Sequence, residues 1–434
     1  MFRHLSYPCL GALLITTAAG AQNSPQTIHP GPSPVKAENT SPVALVYISS
    51  MIGQGHQSQV LAYTADSSGK LTAALDSPYN FNIGKMATNG SYLLGSELDQ
   101  ASVQAYRMDP GGGLSYEESA NVQASSEDCG SAGPDNPERG SPQFLNTAYS
   151  LNAAYLLSTD YLESHCGDNS LPPVMVQKSS GKLIFLGEPG DTDEVIGELS
   201  LSGNDKFAYS SDCYRFGSPI YGFRRMSNGA LSELRIHPAL PRQAKGEGWC
   251  PYLAASDGAN HLAIPMYPWS QFGSKDGPFQ LATYNVNSLG ELTTASTYSD
   301  MPTVLTDSVT DVNMDPSGAL LAVAGTGGLQ IFHFNGDKPI TQYTGLLTKD
   351  EVDQVFWDSN GHLYAIGQSA NKLWVFNVTA TDSAEAPGSP YTINEPLGLI
   401  VQPLPLEAPD STGTGVTGVK APAMRRGAKP PSKL

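Results

Sequence analysis

Charge is scarce in this chain of 434 residues, and basic charge is scarcest. Only 15% of the residues are charged, with 24 Lys and Arg against 41 Asp and Glu, a formal net charge of −17. Such a surface repels a phosphate backbone, which excludes nucleic acid as a partner. Apolar runs long enough to cross a bilayer as a helix are missing, so no transmembrane segment is expected. Apolar residues do not recur with the period of about 3.6 that a helical solenoid needs. GxSxG, HExxH, CxxC and phosphate-loop motifs are all lacking, which removes the common sequence signatures of nucleophilic, zinc and nucleotide chemistry.

What is plentiful is turn chemistry: 44 Gly and 33 Pro. With so few charges, this favours an all-β, turn-rich protein over a helical one. The beginning reads as an export signal. Arg3 and His4 precede the short apolar stretch Leu10 to Ala19, and Ala19-Gly20-Ala21 is a small-x-small cleavage site. Segment 1–21 is therefore expected to be removed and the mature chain to be secreted or periplasmic. The final Ser432-Lys433-Leu434 matches a peroxisomal address, which the export signal contradicts. Residues 22–41 read as a disordered linker. Residues 406–434 read as a disordered tail, basic from Lys420 through Arg425, Arg426, Lys429 and Lys433.

Cys9 goes with the signal, leaving Cys129, Cys166, Cys213 and Cys250. An even count in an exported chain suggests two disulfides. Three connectivities are possible. The local one, Cys129–Cys166 with Cys213–Cys250, closes one loop within neighbouring repeats.

The repeat lies between the two end segments. A strand of type apolar-x-apolar-aromatic is followed by a short turn with Gly and a strand led by Leu. It appears as Val60-Leu-Ala-Tyr63 with Ser68-Gly-Lys-Leu71, and as Val103-Gln-Ala-Tyr106 with Gly112-Gly-Leu114. It returns as Ile220-Tyr-Gly-Phe223, Leu281-Ala-Thr-Tyr284, Leu329-Gln-Ile-Phe332 and Leu373-Trp-Val-Phe376, with a blurred copy over Val174 to Leu186. Turns such as Asp315-Pro-Ser-Gly318 and Asp358-Ser-Asn-Gly361 lead into a preceding apolar strand. The spacing of roughly 43–48 residues fits four-stranded propeller blades. Seven copies predict a seven-bladed β-propeller over 42–405. The first copy, from Val43, lacks an innermost strand, and Pro396-Leu-Gly-Leu-Ile-Val401 is an innermost strand with nothing after it. Together they are expected to complete one blade and close the ring with strands from both chain ends.

With strands a to d counted outward, the short Gly turns fall on one face. The long segments Ala124 to Pro142, Asp160 to Pro172, Asp212 to Ser218 and Pro265 to Phe279 fall on the other, with the cysteines in or beside them. Loops on a rigid scaffold carry function. On this face Tyr161, Tyr214, Trp249, Tyr267 and Trp269, with Phe272, offer stacking surfaces for a ligand. Arg215, Arg242 and Lys245 could hold an anion. Asp160, Asp212, Arg215 and Asp311 are the candidate catalytic residues. Aromatics beside acids and an Arg suit a carbohydrate-like or lactone small molecule, and a protein partner is the other option. No cofactor is expected, save a cation in the central channel on Asp311 and Asp353. The chain is expected to be a monomer.

The aromatic third strand followed by Gly-x-Leu, with Gly69-Lys-Leu71 leading to Ser77-Pro78 and Gly388-Ser-Pro390 leading to the last strand, resembles the lactonase-type seven-bladed propellers. These include 6-phosphogluconolactonase and the carboxymuconate cycloisomerases. The resemblance covers roughly Val43 to Pro405 and implies the propeller fold and a lactone hydrolase. Where that family carries catalytic His and Arg, this chain has Glu194-Val-Ile-Gly197, Gly248-Trp249-Cys250-Pro251, Thr310-Asp311-Val312-Asn313 and Asp353-Gln354-Val355. Of those groups only the Asp is kept. Ring opening needs a base and a stabiliser for the oxyanion. The leading expectation is therefore an exported binding protein using the loop-bearing, disulfide-stapled face, with lactonase activity as the alternative.

Overall fold

A computed structural model describes residues 41–53, 57–98, 102–121, 143–150, 153–159, 174–177, 179–185, 199–202, 206–211, 220–227, 231–234, 236–242, 248–269 and 277–406. All regular structure among them is β-strand. The strands pair into antiparallel sheets, the four-stranded blades of a propeller ring.

Seven sheets are present among the described residues, five of four strands and two that carry an extra short strand beside the four. Sheet 1 runs outward as Pro396–Pro403, Ala44–Met51, Ser58–Ala65, Leu71–Ala73. Sheet 2 begins with Ile83–Thr88, sheet 3 with Gln143–Ser150, sheet 4 with Ser200–Leu201. Sheet 5 begins with Gly248–Pro251 and the short Ala255–Ser256, sheet 6 with Val309–Met314, sheet 7 with Gln354–Trp357. These first strands are the innermost, and each lies beside the next in chain order. The innermost strand of sheet 7 also lies beside Pro396–Pro403.

The pairing inside sheet 1 joins distant parts of the chain. Tyr47 sits opposite Ile400 and Val46 opposite Val401. Both strands are almost wholly buried; Ala44–Met51 has sheet neighbours on each side and packed faces above and below, while Pro396–Pro403 lies against the neighbouring innermost strands. The same reasoning explains the continuous apolar run Leu320–Gly325, buried at every position.

The cores lie between sheets rather than within them. Phe207, Tyr209 and Ile220 of sheet 4 pack on Leu262, Ile264 and Tyr284 of sheet 5. Leu320 and Ile331 of sheet 6 pack on Leu363 and Phe376 of sheet 7. Tyr364 and Val375 of sheet 7 share a core with Tyr47 and Ile400 of sheet 1. The aromatic that ends the third-strand motif is half-buried at Tyr63 and buried in the other well-described copies. Tyr106, Phe223, Tyr284, Phe332 and Phe376 are all essentially inaccessible, each worth about 1.5–3 kcal/mol of apolar transfer.

The motif residue before that aromatic has a second job. Its backbone N–H points at the outer strand, which is too short or too irregular to receive it. A hydroxyl receives it instead. Ala62 N donates to Ser77 Oγ at 2.9 Å, Thr283 N to Ser296 Oγ at 3.0 Å, Ile331 N to Thr344 Oγ1 at 2.9 Å and Val375 N to Ser389 Oγ at 3.0 Å. The Ser-Pro pairs of the sequence are thus side-chain extensions of the ladder, which a buried donor requires.

The short third-to-fourth-strand turns dock on the preceding sheet. Tyr209 Oη of sheet 4 donates to Gly290 O at 3.0 Å. Asn377 Nδ2 of sheet 7 donates to Ser68 O of sheet 1 at 3.1 Å. Gly290 has φ +89, and a Cβ there would meet Leu234 Cδ1 at 2.6 Å and Phe207 Cδ1 at 2.7 Å. Both the left-handed backbone and the close approach demand glycine.

One expectation is corrected. Pro265 to Phe279 was expected as a long loop, but His261–Trp269 is a continuous strand. It pairs with Gly248–Pro251 on one side and Gln280–Val286 on the other. The pairing tolerates Pro265 because its carbonyl still serves it, Pro265 O accepting from Tyr252 N at 2.9 Å. No helix among the described residues is long and apolar enough to cross a membrane.

Candidate functional site

An innermost strand pairs on one side only. Its other edge faces the axis, and the N–H groups there need acceptors. Side chains of the neighbouring innermost strand supply them. Asp311 Oδ2 accepts from Val355 N at 2.7 Å, and Gln354 Oε1 accepts from Leu399 N at 2.8 Å. Trp357 Nε1 donates back to Asn313 O at 3.1 Å. The strands are held side by side without a shared ladder, and space is left between them.

That space is a cavity of about 170 Å³. Four innermost strands line it, from Leu199 to Leu201, Ala254 to Ser256, Asp311 to Met314 and Gln354 to Phe356. Among the described lining residues the polar side chains are those of Ser200, Ser256, Asp311, Asn313 and Gln354, and the others are apolar. Among the described lining residues there is one carboxyl group and no His, Lys, Arg or Cys.

At the start of the sheet 7 innermost strand three acids follow one another. Asp353 Oδ2 accepts from Gln368 N at 2.6 Å, Glu351 Oε2 accepts from Ser369 Oγ at 2.9 Å and Asp350 pairs with Lys372 at 2.6 Å. Burial pushes the Asp353 carboxyl above its ordinary value and Glu351 adds to this, against the Gln368 N–H and the Lys85 charge. All three acids are thus tied to one loop, 367–372, as its caps. Among the described residues no three His, Cys, Asp or Glu side chains converge as a metal cluster.

The remaining candidates divide by position. Asp160, Asp212, Arg215, Tyr161, Tyr214, Cys129, Cys166 and Cys213 lie outside the described residues. Trp249, Cys250, Tyr267 and Trp269 come together on the paired strands of sheet 5, with Trp249 opposite Pro268, Cys250 opposite Tyr267 and Gly248 opposite Trp269. Trp249 is only 1% exposed and stacks on Tyr298, ring centroids 5.9 Å apart. It is a core residue here, with its face covered. Tyr267 packs on Phe279 at 5.1 Å. Cys250 is buried and is not a free thiol. The Arg242 backbone bridges Thr297.

Sequence reasoning passed over Ser200, Ser256, Asn313 and Gln354 as site residues. Polar residues alternating with Val in Thr310-Asp-Val-Asn313 and Asp353-Gln-Val355 were the available signal, since alternate residues share a face. It also passed over two Asp–His pairs, one buried and one half-buried. His362 Nδ1 lies 2.6 Å from Asp358 Oδ2, and His261 Nδ1 lies 2.7 Å from Asp257 Oδ2. Both follow an Asp-x-x-x-His spacing at a first-to-second-strand turn, and neither lines the cavity.

Neither a family model nor a curated protein sequence matches this chain. Solved structures do match. A periplasmic gluconolactonase from Pseudomonas aeruginosa is similar with a TM-score of 0.57 and 11% identity, covering 84% of this chain and 100% of that one. A protein from Lactobacillus plantarum gives 0.55 at 15% identity, covering 83% and 99%. A provisionally named 6-phosphogluconolactonase from Bacteroides uniformis gives 0.55 at 12% identity, covering 83% and 99%. At such identities the likeness shows the β-propeller fold alone.

Proposed function

We propose that this chain is an exported, seven-bladed, lactonase-like propeller that binds a small polar ligand through its axial cavity and its loop-bearing face. The count of seven is supported by the seven sheets and by the order of their innermost strands. Ring closure by both chain ends is supported by the pairing of Ala44–Met51 with Pro396–Pro403. The observation that carries the binding reading is the cavity's lining, among the described residues, of hydroxyl and amide side chains, Ser200, Ser256, Asn313 and Gln354, beside the carboxyl group of Asp311. Such groups orient a ligand by hydrogen bonds, whereas hydrolysis asks for a base and an oxyanion stabiliser.

Export carries the two disulfides with it. The proposed pairing is Cys213–Cys250 with Cys129–Cys166, and the buried, engaged state of Cys250 is in keeping with its being bonded. Peptide mapping of the protein without reduction tests it.

The alternative is a lactonase, whose substrate class comes from the names of the Pseudomonas and Bacteroides neighbours. The two readings separate in one experiment on purified residues 22–434. Sugar and aliphatic lactones are offered for turnover, with the Asp160→Ala/Asp212→Ala double variant beside the native protein. Ligand binding without turnover supports the binding protein. Turnover that the variant loses supports the lactonase and places its site on the loop-bearing face.

A further inference from the structure

A row of aromatic rings runs along the seam between sheets 1 and 2 and comes to the surface. Tyr79 and Phe81 lie on the crossover between the two sheets. Tyr106 and Tyr116 face each other on the paired outer strands of sheet 2, Ser102–Met108 and Leu114–Asn121. Tyr79 stacks on Phe81 at 5.3 Å and Phe81 on Tyr106 at 4.3 Å, and Tyr116 meets Tyr106 edge-on at 6.0 Å. Tyr106 is buried, Tyr79 and Phe81 are half-buried, and Tyr116 is 57% exposed. The turn 74–77 stands beside the same seam, with Ala74 Cβ 3.0 Å from where a Cβ on Gly112 of sheet 2 would be. It carries Leu75, which is 95% exposed. Apolar residues scattered singly on a surface are ordinary. A stacked row with an open ring and an open Leu beside it is instead a face for an extended segment.

Charge says which segment. The Tyr79 hydroxyl is raised above its ordinary value, first by burial, with Asp76 and Asp109 adding to it against the N–H of Leu114. Both exposed acids thus stand beside the row. Asp109 caps its own turn through Gly111 N and Gly113 N, and neither acid has an ion-pair partner among the described residues. Arg107, next to Tyr106 in its strand, is spent on Glu117 at 2.8 Å. Tyr faces beside acids suit Arg and Lys, and they suit proline packed between them. The chain holds such a segment. Residues 420–434 carry Lys420, Arg425, Arg426, Lys429 and Lys433 with Pro422, Pro430 and Pro431, and no acid. The described residues end at Leu406, which packs on the same core as Tyr79, Phe81 and Leu114. The intervening residues 407–419 can span up to about 45 Å, several times the ring-to-ring steps of the row. Tethering so close gives the segment a high effective concentration at the row.

We infer that residues 420–434 dock in cis along this aromatic row, their Lys and Arg groups against Asp76, Asp109 and the open Tyr faces and their prolines against the rings. The inference is independent of the axial cavity and of what it binds.

The test is zero-length crosslinking with a carbodiimide, which joins a carboxylate to an amine in contact with it, on purified residues 22–434. Peptide mapping of the monomer band should find Lys420, Lys429 or Lys433 joined to Asp76 or Asp109. Limited trypsin digestion is the second readout. Cleavage after Arg425 and Arg426 should be about fivefold faster in an Asp76→Asn/Tyr116→Ala variant than in the native chain; an unchanged thermal transition shows that the variant folds. The native chain should lose part of its protection at ~1 M salt, where surface charges are screened. Crosslinks to Asp76 or Asp109 found only on a dimer band would give the row to the tail of a second copy and overturn docking in cis. Cleavage slowed only when vesicles of anionic phospholipid are added would assign the tail to a lipid surface and overturn it as well. Absence of crosslinks to either acid, or equal cleavage of native chain and variant, overturns the inference outright.

Discussion

Asp311 and Val355 belong to different sheets, yet the carboxylate of one accepts the backbone N–H of the other at 2.7 Å. The bond spans the boundary between the innermost strands of sheets 6 and 7. It gives Asp311 a role that needs no chemistry, since an axial edge with an unfilled N–H is costly. Asp311→Ala should therefore destabilise the fold by about 1–3 kcal/mol. Asp311→Asn, which still offers an oxygen, should cost less than about 1 kcal/mol. Urea titrations of the three proteins check this, and equal losses for Ala and Asn would show that the charge, not the acceptor, matters.

Asp358 is a heavily used and almost wholly buried acid. It accepts from Asn360 N at 2.8 Å, His362 N at 3.0 Å and Tyr364 Oη at 3.0 Å, and meets His362 Nδ1 at 2.6 Å. Asp358 is 1% exposed and His362 3%. Asp66 caps a similar Gly turn in the open, on Ser68 and Lys70. Asp358→Ala should cost about 3 kcal/mol or more, because the buried partners find no water. Asp66→Ala should cost roughly 0.5–1 kcal/mol. Thermal melts of the two variants give the comparison directly.

The ladder hydroxyls are the third test. Ser77→Ala and Ser389→Ala each leave one buried N–H, of Ala62 or Val375, without its acceptor. Each should lose about 1–2 kcal/mol. The two sites lie in adjacent sheets with no partner in common, so the double variant should show the sum to within about 0.5 kcal/mol. A marked shortfall would mean that the outer strands rearrange to supply the missing acceptor.

These three sets of residues also show how far the sequence could be read. The repeat was legible because a third strand buried on both faces needs the same aromatic each time, as Tyr106, Tyr284 and Phe376 do. The chain-end pairing was legible because Pro396 to Val401 is a strand without successors. The site was not. Asn313 and Gln354 look like ordinary strand polars until the ring turns them toward the axis, and that direction is a property of the assembled sheets. Trp249 misled for the opposite reason. Its place beside cysteine in a loop-rich region suggested a surface platform, but its strand pairs with His261–Trp269 and its ring is covered.

Acidity should act on two of the acids in opposite directions. Asp353 is held above its ordinary value, first by burial and then by Glu351. The folded state thus keeps this proton more tightly than the unfolded one. Its contribution to stability falls as pH rises from the unfolded value of 3.8 through the folded value, and the full penalty stands above that window. Asp353→Asn should accordingly stabilise the protein at neutral pH and make no difference well below the window. For Asp66, the upward push from burial is the largest single influence, but the hydrogen bonds from Ser68 and Lys70 together with the Lys70 charge outweigh it, and its value is lowered. Its stabilisation is complete above 3.8 and is lost as pH falls through the folded value. Denaturation curves from pH 3 to 7 on both Asn variants would show the crossing, and parallel curves would refute it.

The strand Pro396–Pro403 bears on the whole ring. It lies opposite Ala44–Met51 and beside the innermost strands of sheets 2 and 7. At Gly398 the approach is closest, since a Cβ there would meet Gly84 O at 2.6 Å and Ser49 Oγ at 3.0 Å. Ending the chain after Glu395 should therefore uncover the inner edge of Ala44–Met51 along its length. An uncovered, apolar, wholly paired-type edge seeks another strand. The shortened protein should self-associate on size exclusion and lose its single unfolding transition. A synthetic peptide of residues 396–406 should restore the monomer by refilling the gap, as strand addition does elsewhere. Gly398→Val, which keeps the strand but blocks its seat, should behave like the deletion and should not respond to the peptide. If the shortened chain instead stays monomeric and melts as the full one does, the ring is held by its inter-sheet cores alone, and the pairing of the two ends is an ornament of the fold.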